Sequence, residues 1–139
     1  SVISSSVSRS ADPLITHRAV LIAQAYADEI LGKRFSESTP VGGVPPATDA
    51  SVCTVGAEGG ESRPTYDDLD DYDGLSDSPP ALQSDTDFSR YDGYTVSVSV
   101  TCAGTALGFA NNHDAKSVSI TITSPDNRTA VFSLYRGNF

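Results

Sequence analysis

The sequence predicts an α+β fold in two layers, one long N-terminal helix packed on a C-terminal antiparallel β-sheet. A helix-period apolar stripe fills residues 13–31, and strict apolar–polar alternation marks two stretches after residue 93. Between them lies a Pro/Gly-rich acidic segment whose composition suits neither element. The 139 residues are enough for one domain with its own core. That domain divides into residues 1–12 (helix remnant or linker), 13–32 (helix), 33–92 (loop-rich and acidic) and 93–139 (sheet). Trp and Met are absent, so the core must come from Val, Ile, Leu, Tyr and Phe.

The helix is read from its ends and its stripe. Asp12 suits an N-cap, where a carboxylate accepts from unpaired first-turn N–H groups. Pro13 fits the first helical position, where its missing N–H costs nothing. Ile15, Ala19, Ile22, Tyr26 and Ile30 recur at helical spacing and mark the face to be buried, and Ala23 and Ala27 widen it with small residues. Gly32, followed by Lys33 and Arg34, reads as a stop with a left-handed cap. At 1.5 Å per residue, residues 13–31 would span about 28 Å. The polar opening SVISSSVSRS reads as the fraying end of a preceding helix that Pro13 kinks or interrupts.

After the helix, Pro40, Gly42, Gly43, Pro45, Pro46, Gly56, Gly59 and Gly60 argue for a long loop, uncommon unless functional or cross-linked. Cys53 and Cys102 are the only cysteines. They are too far apart for a C-x-x-C motif, and neither has a histidine at zinc-ligand spacing. A disulfide is preferred over two free thiols. It would close a loop of roughly 50 residues, contribute about 4 kcal/mol in the chain-entropy treatment, and imply an oxidising compartment.

The strands follow. In YTVSVSVT, residues 94–101, Val96, Val98 and Val100 face one way and Thr95, Ser97, Ser99 and Thr101 the other. Residues 116–123 repeat this with Val118, Ile120 and Ile122. SPDNR at 124–128 is a turn, and residues 130–135 give a third strand carrying Phe132 and Leu134. Period-two alternation means one wet face, hence antiparallel strands whose apolar face meets the helix stripe.

The net charge of −9 and pI near 4.3 argue against a nucleic-acid surface or docking on anionic lipid. No run of about 18 apolar residues is present to span a membrane. The opening is not a signal peptide, and an ectodomain cut from a longer protein is the expectation. No G-x-S-x-G, phosphate-cradling glycine loop or H-E-x-x-H is present, so the expectation is a non-enzyme. His17 and His113 read as surface residues. Asn127-Arg128-Thr129 is a glycosylation sequon by letter only.

The one site candidate is YDDLDDYDG, where Asp67, Asp68, Asp70, Asp71 and Asp73 repel one another unless solvated or neutralised by a hard cation. An extended chain would gather Asp67, Asp71 and Asp73, and a helical turn Asp67, Asp70 and Asp71. Either presents three oxygens to Ca²⁺, although the EF-hand pattern does not fit. A solvated acidic loop is the preferred reading. A further role is Asp side chains bonding backbone N–H groups to hold an irregular connection.

DEILGKRF (28–35), ESRPTYDDLDDYDGL (61–75), YDGYTVSVSV (91–100), AKSVSITITSPD (115–126) and FSLYRGNF (132–139) together resemble type IV minor pilins. They look like the MshD-like prepilins of mannose-sensitive haemagglutinin (MSHA) pili. The resemblance implies a type IV pilin fold, with a variable region closed by a disulfide. It also implies a preceding hydrophobic half-helix with a prepilin leader and a glutamate, through which alone the protein would meet the membrane. The implied function is a non-enzymatic pilus subunit acting in assembly initiation or at the tip, and in surface adhesion. Its partners would be other pilin subunits and a host or abiotic surface or glycan. Its place would be the extracellular pilus of a Gram-negative bacterium, after the inner membrane. Some pilin-like proteins bind calcium in the loop before or within the sheet. The alternatives are a calcium-binding adhesin module and a secretion-system pseudopilin.

Overall fold

Helix α1 runs Val2–Leu31 with Pro13 inside it. The computed structural model describes residues 2–84 and 88–139, and of residues 2–12 and 89 the backbone alone. The expected start at Asp12 is therefore corrected: Asp12 lies within the helix and is not its N-cap. A proline inside a helix deletes one hydrogen bond and costs about 3 kcal/mol. Residues 2–12 contain no glycine and no second proline to add to that penalty.

The C-terminal end also differs from expectation. Gly32 does not enter the left-handed region. The turn closes instead through Lys33 N–H donating to Ile30 O at 3.0 Å. Arg136, from the last strand, then donates to the carbonyls of Leu31 and Lys33, each at 3.0 Å. A cation thus satisfies carbonyls that the helix end leaves unpaired.

The sheet has strands β1 (Ser76–Asp77), β2 (Thr95–Cys102), β3 (Ala115–Thr123) and β4 (Thr129–Gly137), antiparallel in that order. The last three match the alternating stretches. β1 falls in the segment read as loop, because two residues carry no period to detect. Register places Val98 opposite Ile120 and Ile120 opposite Phe132. The β3–β4 turn is the SPDNR cluster, with Asn127 at a φ of 65°, a conformation asparagine tolerates better than most residues.

Val96, Val98, Val100, Val118, Ile120 and Ile122 are buried in one cluster with Ile22, Tyr26 and Ile30, and Phe132 and Leu134 are packed against it. Ala19 and Ala23 are buried with them, and α1 lies against β3 and β4. Ile15, higher on the stripe, is half-buried. The stretch 33–92 has single 3₁₀ turns and little regular structure, yet Phe35, Val52, Leu69 and Tyr72 are fully buried. The Cys53–Cys102 disulfide ties it to the end of β2, with 5.6 Å between Cα atoms. Among the described residues, no helix is long and apolar enough to cross a membrane.

Candidate functional site

The acidic turn is not a solvated loop. Asp68, Asp70 and Asp71 are 0%, 1% and 1% exposed. The cause is their company: Leu69 and Tyr72 belong to the core, and a tight 3₁₀ turn at Asp70–Tyr72 carries the acids inward with them. Asp71 Oδ2 accepts from the N–H groups of Asp67 (2.8 Å) and Asp68 (3.1 Å). Asp68 Oδ1 accepts from those of Asp70 (2.8 Å) and Asp71 (3.2 Å). The two side chains thereby hold the turn in place of the regular bonds it lacks, the role expected for aspartate in an irregular connection.

Of the five aspartates, Asp70 and Asp73 are directed away from the others. Asp73 Oδ1 accepts from Val100 N–H of β2 at 2.8 Å, and Asp70 faces Lys116 at 2.7 Å. Asp67, Asp68 and Asp71 do converge, with one oxygen from each within 4.8 Å of the others. Three glutamates that the sequence reading did not single out join them. Glu58, Glu61 and Asp71 form a second such triad, Glu37, Glu58 and Asp68 a third, and Glu37, Glu61 and Asp67 a fourth. Every one of the six thus belongs to two triads. The pairs Glu37/Asp71, Glu58/Asp67 and Glu61/Asp68 share no triad.

Local backbone explains the pair from the loop. Gly59 and Gly60 have φ of 53° and 86°, and Glu61 N–H donates to Glu58 O at 2.8 Å. That is the positive-φ pair of a type I′ turn, which glycine adopts without strain. Glu-Gly-Gly-Glu was the signal available in the sequence: it folds two acids back onto one another. The exit of α1 supplies the third side, where Arg34 N–H donates to Asp67 O (3.2 Å) and Leu69 N–H to Arg34 O (2.9 Å).

The electrostatics follow from crowding in a dry place. Burial, then the charges of Asp71 and Asp70, pushes the Asp68 carboxyl up to about 7. Burial, then Asp68 and Asp71, pushes Glu58 up to about 8. Glu61 is raised as well, by burial first. The outer corner is neutralised differently, by Arg34 Nη2 lying 3.1 Å from Glu37 and 3.0 Å from Asp67. His17 is exposed, and His113 Nε2 lies 3.7 Å from its neighbour Asp114. Such an arrangement can bind a hard cation or share protons.

Beside the cluster, Glu29 of α1 anchors the same stretch of chain. Its Oε2 accepts from Arg63 Nη1 and from Tyr72 Oη (2.8 Å), and its Oε1 from Gln83 N–H (2.6 Å). Arg63 in turn donates to Ala81 O at 2.8 Å and lies over the Tyr26 and Tyr72 rings. We expect Glu29→Gln to lower stability by about 2 kcal/mol, the scale of a charge-assisted hydrogen bond lost in a dry site. The check is a drop in urea midpoint with an unchanged slope.

Comparison with known proteins finds no matching family, no matching curated protein and no matching solved structure.

Proposed function

We propose that this chain is a non-enzymatic minor subunit of a type IV pilus of the MSHA kind, acting in assembly initiation or at the tip, and in adhesion. The observation that carries the reading is the layout of α1. Its buried side chains, where described, fall between Ala19 and Ile30, while the helix continues to Val2. A pilin needs this division: one half of a rod seats the globular head, and the other packs among the rods of neighbouring subunits. Leu14 and Leu21, seven residues apart and so on one side of the rod, are exposed, and a neighbouring rod would cover them. The FSLYRGNF resemblance also has a structural role, because Arg136 seals the helix end and lies over the Phe139 ring.

The test is deletion of the gene, complemented by the full-length wild type or by Leu14→Glu/Leu21→Glu. Surface pili and attachment should disappear on deletion, return with the wild type and fail to return with the double variant. Normal pilus number and adhesion in the deletion strain would overturn the reading.

A further inference from the structure

We propose that the carboxylates of Glu58, Glu61, Asp68 and Asp71 bind one Ca²⁺ ion. The inference is independent of the pilus reading and rests on oxygens that have nothing to bond. Asp68 and Asp71 each commit one carboxylate oxygen to two backbone amides, as described above. The other oxygen of each, Asp68 Oδ2 and Asp71 Oδ1, is fully buried with no hydrogen-bond partner, and so is Glu58 Oε2. A buried acceptor without a donor is costly, and native proteins seldom keep one unless water or an ion completes it. Here three such oxygens belong to residues that meet in pairs: Glu58 joins Asp71 in the triad with Glu61, Asp68 in the triad with Glu37, and Asp68 joins Asp71 in the triad with Asp67.

The amide bonds do a second thing. They fix the carboxylate planes of Asp68 and Asp71, as outer hydrogen bonds orient ligands around a metal. The site is therefore built before the ion arrives. Its charge is not already answered: among the described residues no ion pair joins an arginine or lysine to Glu58, Glu61, Asp68 or Asp71. Arg34 takes the outer corner at Glu37 and Asp67, and Lys116 takes Asp70. These two cations pair with acids outside the inner four, and act on Asp68 and Glu58 only through space.

The donor set chooses the class of ion. No histidine or cysteine is in any triad, so softer transition metals are disfavoured. Mg²⁺ demands a near-ideal octahedron and keeps much of its water, whereas Ca²⁺ accepts six to eight carboxylate and carbonyl oxygens in looser geometry. Donors on two separate turns suit the second. Bound there, the ion would tie the Glu58–Glu61 turn to the turn at residues 67–71, joining irregular segments that share few backbone bonds.

The experiment uses the whole chain stripped with chelator, then titrated with CaCl₂ by calorimetry and followed by thermal unfolding. Saturable heat is expected, with a Tm rise of at least about 5 °C at a large excess of calcium over Kd. Tb³⁺ should bind in its place and luminesce on tyrosine excitation, since Tyr66 and Tyr72 flank the site. Glu58→Gln, whose side chain accepts from no backbone amide of the acidic turn, should weaken Ca²⁺ at least about tenfold. In chelator the same variant should be no less stable than the wild type, because glutamine keeps the shape of the side chain and Glu58 Oε2 has no bond to lose. A merely structural glutamate would not show that reversal. Asp126→Asn, on the distant β3–β4 turn, should keep the full calcium response. No heat and no Tm change at about 10 mM CaCl₂ would overturn the proposal. So would an equal response to MgCl₂, or a calcium response that survives in Glu58→Gln/Asp68→Asn.

Discussion

Replacing Cys53 and Cys102 together with serine is expected to lower unfolding free energy by about 4 kcal/mol and to steepen the denaturant slope. The bridge joins residues 49 apart, so opening it returns the closure entropy of a long loop to the unfolded chain. A released chain is also more expanded when unfolded and exposes more surface to denaturant, which raises the slope. Strain in the native state should change little, since Cys53 is exposed and Cys102 only half-buried, and two hydroxyls fit where two sulfurs stood. The loop in question holds the larger part of the irregular acidic stretch, from residue 54 to 92, so its order should suffer first. Equilibrium urea unfolding of both proteins, in chelator, checks the value. A loss under about 1 kcal/mol would mean that residues 53–102 stay compact when the rest unfolds, against the chain-entropy account.

The α+β layout is legible because its signals are local and periodic. The stripe from Ala19 to Ile30 and the alternation from Val96 to Val100 each announce a buried face without knowledge of the other. Signals that depend on a single residue mislead. Asp12-Pro13 is a good helix start by composition, and the helix passes through it; Gly32 is a good left-handed cap, and the chain closes the turn by another route. The acidic turn was legible as a crowd of carboxylates but not as a site. Whether Asp68, Asp70 and Asp71 stay in water is decided by Leu69 and Tyr72, whose burial depends on surfaces contributed by α1 and β2. Their partners lie far off in sequence: Glu58 and Glu61 arrive through a glycine turn, and Glu37 through the exit of the helix. No reading confined to residues 67–73 could supply them.

Lys116 is a case where the pattern held a signal that the sequence reading did not draw. It occupies the same alternating face as Val118, Ile120 and Ile122, so strand geometry puts a lysine in the core and demands an acid beside it. In the structure it is fully buried, with Nζ 2.7 Å from Asp70 Oδ1 and 2.7 Å from Phe35 O, over the Phe35 ring at 4.3 Å. The ammonium thus meets both a carboxylate and a carbonyl oxygen at the same distance. Burial lowers the lysine against the pull of Asp70, and burial raises Asp70 to about 6 against the pull of Lys116. Both shifts run toward neutrality, so desolvation outweighs attraction and the pair adds little net stability over an apolar replacement. Removing one partner is another matter. Lys116→Met should cost about 3–5 kcal/mol, because it strands a buried carboxylate and the Phe35 carbonyl. Lys116→Met/Asp70→Asn should then recover at least about 2 kcal/mol of that loss, since no unpaired charge remains. The measurement is a double-mutant cycle by urea unfolding in chelator, which keeps the neighbouring carboxylates in one state across all four proteins. A double variant as unstable as the sum of the two singles would mean that Asp70 and Lys116 answer to other partners. Recovery would instead show that the lysine is held in the core by the acid it neutralises, and that β3 is fastened through it to the acidic turn.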